Sequence, residues 1–518
     1  MSRKSYLLFA ALVLAACGGE PNTESTGKPV ISPGERMYRE GILTTGEPMT
    51  ALVAGDVPIV GTAFSCESCH GRSGMGAAEG DFIVPPVAAQ FLFEASPQPK
   101  RPAYDRESLA QLLREGVTPS GRVLSPELMP RYELTDTDVQ VLVAYLETLS
   151  PGDSPGVDET TIHFATVVTD TVDESERDAV VRVVQRFAED INRKTRNEAE
   201  RWDRGYTPES KLPTVFREWV VDEWLLTGPP STWKRQLESY YEETPVFAVV
   251  GGMGKGAWAP VNEFCEYNKI PCLYPSIDVP YRADGDFYTV YSSPGLLLEA
   301  DLVAAHLASE PVPTLTQVVC DPDLEPVVAE LQQALADTDI QTDTVTFDCD
   351  DTTPALTDSS TYVLWLDRAT LQNLPMETLP GRVYISSTLL DGDVEGVITG
   401  AEVFTAHPYR LPGAADPAMR RFKLWADSRG VELVAPRQQA EAYFACLVIN
   451  DAVKHMGRFR IREYALDMMD HAEGLSAYMP LYPRPSLGPG QRFINKGGYI
   501  LPVIDGELAP SQATWINP

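Results

Sequence analysis

Two thiols and an imidazole stand together at Cys66-Glu67-Ser68-Cys69-His70. At that spacing both sulfurs can reach the vinyl groups of one haem while the next imidazole reaches its iron from the same turn, the pattern of c-type attachment. Two other chemistries use paired cysteines. A structural zinc site needs a second Cys/His pair at comparable spacing, and none stands nearby; a redox dithiol needs a βαβ setting, and none surrounds these residues. The motif occurs once. The expectation is one covalently bound haem c that exchanges one electron at a time.

An iron held for electron exchange also needs a sixth ligand that stays bound. Met37, Met49, Met75 and Met129 are the sulfur candidates, Met75 lying too close to His70 in sequence to cross the ring easily. The stretch LLREGVTPSGRVLSPELMPRYELTDTDVQVLVAYLETL, 112–149, resembles the distal half of the cytochrome c family, especially c-type subunits that work with periplasmic dehydrogenases. A Gly-containing turn leads to Met129-Pro130 and an aromatic, then to a capped C-terminal helix. Thr135 precedes Asp138 at capping-box-like spacing, and Val139, Leu142, Val143, Leu146 and Leu149 recur on one helical face. The resemblance implies a small all-α domain over 31–150 with Met129 as second axial ligand. It also implies an N-terminal helix from Gly34 through Tyr38 to Gly41, and a loop beneath the haem containing Pro85 and Pro86. His/Met ligation raises the potential relative to His/His. The site would then take electrons from an upstream oxidation and pass them to an oxidase or a further cytochrome.

The elements before and after this unit differ in kind. Arg3 and Lys4 precede an apolar run from Tyr6 to Ala16, too short for a permanent span and the right length for an export signal. Leu14-Ala15-Ala16-Cys17 looks like a bacterial lipobox, which implies cleavage before Cys17 and lipid attachment to it; the bland alternative is an ordinary signal peptide with an incidental cysteine. Residues 1–17 are thus read as a lipoprotein signal and 18–30 as a tether. Gly18 rather than aspartate after the cysteine favours the outer membrane. Lipid would be the chain's only membrane contact.

The 518 residues carry a formal net charge of −32, which argues against nucleic acid and anionic lipid faces as partners. It permits steering towards a basic redox partner, and equally serves solubility alone. Of eight cysteines, Cys17, Cys66 and Cys69 are assigned above. In an oxidising compartment Cys265 and Cys272 could close a small loop, and Cys320 and Cys349 end two successive strands and could pair. Cys446, in the apolar run AYFACLVI, reads as a buried free thiol.

Ser-Pro-Gly-Asp-Ser-Pro-Gly, 150–156, is rich in helix and strand breakers, and 151–159 is read as a linker. Beyond it IHFATVV, VFAVVGG, PCLYPSI, FYTVYSS, LTQVVCD, DTVTFD, YVLWLD and RVYIS are short β-rich runs, mostly separated by helix-length segments. Runs apolar throughout point to parallel strands buried on both faces, hence a doubly wound α/β fold. Three stretches are similar to type I periplasmic binding proteins of the leucine/isoleucine/valine-binding group: 246–276, 287–307, and the end, 439–456 followed by 483–503. The resemblance spans 160–518 and implies two lobes closing on a small ligand at a hinge. It places Gly252, Met253 and Gly254 as backbone donors to an anionic group, Ser276, Tyr291 and Ser292 nearby, and Ser386 or Ser387 from the other lobe. The bland reading is that the glycines only make a tight turn and the serines only cap helices.

GGMGKG is not a phosphate loop, because Val249 stands where the first glycine is needed and Gly256 where Ser/Thr is needed. His163, His306, His407, His455 and His471 show no metal spacing, and no enzyme active site can be assembled. The leading expectation is a lipid-anchored periplasmic electron carrier with a C-terminal module that binds a small molecule or docks a dehydrogenase, oxidase or cytochrome. The alternative is a solute receptor for amino acids or similar metabolites, with haem as its redox regulator.

Overall fold

The computed structural model describes residues 31–53, 57–79, 82–97, 100–149, 152–203, 217–349, 359–373, 381–394, 402–470 and 475–518. The signal, Cys17, the tether and His471 lie outside the described residues. Among the described residues no helix is long and apolar enough to cross a membrane.

The first part, to Leu149, is built around two crossing helices, Pro33–Glu40 and Asp136–Leu146. Ser32 caps the first by accepting the Glu35 N–H, and Gly41 ends it in the left-handed region. Gly34 sits at the crossing, where an added Cβ would lie 2.5 Å from the Val141 carbonyl oxygen and 2.7 Å from Tyr145 Cβ. Only glycine lets the helices approach so closely. Thr135 and Asp138 form a reciprocal capping box, and Val139, Leu142, Val143 and Leu146 face the core with Met37, Tyr38, Leu109 and Leu112. The expectation of an all-α unit needs correction. Val57–Val60, Thr50–Val53 and Arg131–Tyr132 form an antiparallel sheet, and two short hairpins accompany it. Valine-rich TALV and VPIV favour extended backbone over helix.

The rest contains two largely parallel sheets. In the first, the strand Thr161–Thr169, buried from Phe164 onward, pairs with Glu218–Leu226 on one side and Ala248–Val250 on the other. In the second, Gln341–Thr346, Thr314–Val319, Thr361–Trp365, Arg382–Ser386 and Glu402–His407 run parallel in a continuous sheet, and Gly498–Ile504 returns antiparallel at its far side. Between the last two strands the chain goes back to the first sheet, where the helix Pro436–His455 buries Phe444, Cys446 and Ile449 against Phe164, Val250 and Leu273.

Residues 152–159, read as a linker, are fastened down. Ser154 N–H donates to the Arg460 carbonyl (2.8 Å) and Ser154 Oγ accepts the Arg462 N–H (3.1 Å). Disulfides join Cys265 to Cys272 and Cys320 to Cys349, and Cys446 is a buried free thiol. Closing a loop across 29 positions is worth about 3–4 kcal/mol in the chain-entropy account. Cys320→Ser with Cys349→Ser is therefore expected to lower the free energy of unfolding, read by urea titration, by that amount, and the tighter Cys265–Cys272 loop to contribute less; equal effects of the two pairs would contradict this.

Candidate functional site

The helix Cys66–His70 begins after Phe64 and stops at Gly71, whose φ of +71° turns the chain sharply. His70 Nδ1 lies 2.9 Å from the Pro85 carbonyl oxygen. That bond fixes the ring and leaves Nε2 as the nitrogen open for a metal. Burial pulls the His70 imidazole below its ordinary value, while the Pro85 carbonyl pushes it up. Burial pushes the Cys66 thiol up to about 12. Such a thiol is unlike the acidified thiolate of a dithiol oxidoreductase.

Cys66, His70 and Pro85 open onto a cavity of about 730 Å³, within the ~300–1,000 Å³ of small-molecule and cofactor pockets. Leu109, Leu112, Leu113, Leu142, Leu146 and Phe91 supply an apolar lining. Met129 lines it as well, whereas Met37 and Met49 are buried in the core and Met75 packs with Ala88 and Ile461. Met129 is held by two anchors: its N–H donates to the Ser125 carbonyl (3.2 Å), and the strand that follows it pairs with Thr50–Val53. Tyr132 in that strand donates its hydroxyl to the Phe64 carbonyl (2.8 Å), tying the methionine segment to the start of the cysteine helix. Four cationic residues, Lys100, Arg101, Arg122 and Arg458, line the cavity against one carboxylate, Glu94. In a chain of net charge −32 that local excess is unusual. It suits a flat apolar macrocycle carrying two acidic side chains, so the residues present fit haem.

The second candidate region lies where the two α/β sheets meet. Its residues are Asp278, Ser292, Thr388, Tyr409, Arg437 and Glu441, with Tyr482 stacked on Tyr409 at 5.5 Å. Arg437 reaches Asp278, Asp391 and the Tyr409 hydroxyl, each at 3.3 Å. Glu441 accepts from Tyr482 (3.0 Å). The remaining space is about 10 Å³, no more than one water occupies.

Of the residues expected there, Ser292 lines the cavity, and Ser276 is buried between the lining residues Pro275 and Ile277. Gly252, Met253 and Gly254 do not. Gly251 and Gly252 both take positive φ, which kinks the strand so that it resumes at Met253–Gly254, paired to Val168 and Ser276–Ile277. Tyr291 is a core residue, donating to the Tyr281 carbonyl (2.7 Å) and stacking on Phe493. Ser387 shares a buried hydrogen bond with His407 Nδ1 (2.8 Å), and Ser386 Oγ accepts the Leu389 N–H (3.0 Å).

Glu299 accepts the Thr388 N–H (2.9 Å) and hydroxyl (2.7 Å). Burial pushes Glu299 up to about 7, against the hydrogen bonds from Ser386 and Thr388 that pull it down. The folded chain thus binds a proton there that the unfolded chain, near 4.5, has released. This contribution is fully present below pH 4.5 and lost as pH rises through about 7, on the order of 3 kcal/mol. Glu299→Gln is expected to flatten the decline in stability across that window, as read by urea unfolding at several pH values; an unchanged slope would sink the assignment.

A family model described as cytochrome c matches residues 61–150. No curated protein sequence matches the chain. Among solved structures, a branched chain amino acid ABC transporter protein from Thermus thermophilus with bound valine aligns at TM-score 0.50 and 11% identity, covering 68% of this chain and 96% of that one. A leucine binding protein from Thermotoga maritima aligns at TM-score 0.47 and 14% identity over 69% and 99%. A possible leucine/isoleucine/valine-binding protein from Rhodopirellula baltica gives 0.47 and 12% over 70% and 98%. At these identities the likeness is one of fold. The chain joins a cytochrome c domain, which implies covalently bound haem, to an α/β fold like that of the branched-chain amino acid-binding periplasmic proteins.

Proposed function

We propose that the chain is a lipid-anchored periplasmic electron carrier with one haem, bound through Cys66 and Cys69 and ligated by His70 and Met129. The observation that carries this reading is the convergence of two residues of the cysteine helix, Cys66 and His70, and one methionine, Met129, on a single apolar cavity with a cationic margin. Bound there, haem supplies one-electron chemistry. The chain's own residues orient His70 through the Pro85 carbonyl, keep water from the iron with a leucine-rich wall, and set charge near the acidic side chains. Electrons pass through it without turnover of a bound substrate. The anchor is Cys17, in the outer membrane, and the partner is a periplasmic dehydrogenase, oxidase or other cytochrome.

The α/β part, whose two sheets form the lobes, serves chiefly as a docking body, because its interlobe cleft is filled by its own ion pairs. A second reading, a solute receptor, is favoured by the buried Arg437 Nε, which has no hydrogen-bond partner, beside the carboxylate of Glu441. The deciding experiment is anaerobic redox cycling of the export-matured protein with periplasmic dehydrogenases, run beside thermal unfolding with valine. Haem reduction at catalytic rates supports the carrier. A haem inert to every such partner, with a rise in melting temperature in valine, supports the receptor.

A further inference from the structure

The turn that follows His70 is gripped from both sides. Tyr38, on the N-terminal helix, donates its hydroxyl to the Gly71 carbonyl (2.7 Å). From the opposite part of the chain, Asp467 on the helix Arg462–Asp470 accepts the N–H of Arg72 on one oxygen (3.1 Å) and the N–H of Ser73 on the other (3.0 Å). Asp467 is buried, and the fit is tight: a Cβ on Gly71 would lie 2.6 Å from Asp467 Oδ2. Arg72 itself lies 3.8 Å over the Phe287 ring, on which Arg492 also sits at 4.4 Å. The same C-terminal part sends Arg458 to the lining of the haem cavity, next to Phe459, which packs edge-on against Phe91 of the cavity wall.

We propose that the haem site is bipartite: the binding-protein-like part supplies Asp467 as a positioning residue for the axial-histidine turn and Arg458 as a charge at the cavity, so that together they set the haem potential. The proposal rests on the reading of His70 as an iron ligand. Oxidation adds one positive charge at the iron. A carboxylate behind the ligand turn favours that state and lowers the potential; a guanidinium at the cavity disfavours it and raises the potential. Burial pushes the Asp467 carboxyl up while the N–H groups of Arg72 and Ser73 pull it down; since both partners are N–H donors, its hydrogen bonds favour the carboxylate over the protonated acid. Both groups come from a domain that an isolated carrier lacks, which gives the fusion a physical purpose.

The test is potentiometric titration of the full holoprotein as wild type, Asp467→Asn, Arg458→Gln and, as a control, Lys423→Gln on the helix Pro417–Arg429. Asp467→Asn is expected to shift the one-electron equilibrium at least threefold towards reduced haem, about 30 mV at ~59 mV per tenfold. Arg458→Gln is expected to shift it in the opposite direction, with no change in Lys423→Gln and unchanged low-spin spectra throughout. Should Asp467→Asn disturb folding, the exposed Arg458 still decides. Potentials unchanged in both variants, or moved in the same direction, overturn the proposal. A wild type without a six-coordinate spectrum is a different result, which removes the His70/Met129 reading and this inference with it.

Discussion

Met129→Ala is expected to open the sixth position of the haem: the far-red sulfur-to-iron band of the oxidised protein disappears, and the reduced protein takes up carbon monoxide. The potential should fall by on the order of 100 mV, a fraction of the roughly 0.8 V over which axial ligands move haem potentials. The effect should be local. Met129 is partly buried on the edge of the haem-domain core, held by the Ser125 carbonyl and the strand Arg131–Tyr132, and those anchors do not involve its side chain. Secondary structure and the covalent haem should therefore survive, which separates loss of a ligand from loss of a fold. Met37→Ala and Met49→Ala should do the reverse, weakening the core while leaving the band in place, because both are buried away from the cavity. Retention of the band in Met129→Ala would return the sixth position to another donor.

What could be read in advance followed from how locally each signal was written. Cys66, Cys69 and His70 declare themselves by spacing, because covalent attachment acts within a few residues, whereas Met129 was singled out only through the resemblance of the stretch around it to the cytochrome c family. The strands Thr161–Thr169 and Thr361–Trp365 were equally plain, being short β-branched and aromatic runs that the fold buries on both faces over most of their length. Glu218–Leu226 was not, since EWVVDEWLL mixes three acidic residues into a strand that pairs on one side only. Gly252 to Gly254 invited a ligand loop, and the structure has Gly251 and Gly252 at positive φ, after which the sheet resumes at Met253–Gly254. The cleft itself had no local signature: Asp278, Thr388, Arg437 and Glu441 are ordinary residues until the fold gathers them. Asp467 is the extreme case. Its bond to Arg72 spans 395 positions, and no periodicity or motif records a contact of that range.

The largest loss of stability is expected at Arg462. Its side chain is buried and spends its donors on a set of main-chain oxygens: Phe247 (3.0 Å), Asn268 (3.1 Å), Lys269 (3.3 Å), Pro155 (3.3 Å) and Val246 (2.5 Å), with the Tyr241 hydroxyl at 3.1 Å. Few positions join so many separate pieces, for this one ties the 152–159 segment and the first sheet to the helix that carries Asp467. Arg462→Met keeps much of the volume and removes every donor, leaving carbonyls that the surrounding structure cannot hydrate. A charge-assisted hydrogen bond is worth about 1.5–3 kcal/mol, and such losses at one side chain do not add fully, so a cost on the order of 4 kcal/mol is expected. Two probes of urea unfolding check it: tryptophan fluorescence, which reports the part beyond residue 150, where all eight tryptophans stand, and haem absorbance, which reports the cytochrome core. In the wild type the contacts between the two parts are expected to make the two transitions coincide. In Arg462→Met the fluorescence transition should move to lower urea and part from the haem transition, because the cytochrome core of Met37, Tyr38, Leu109 and Leu142 contains none of the lost bonds. Coincident transitions at an unchanged midpoint would mean that the Arg462 bonds carry no such share of the stability.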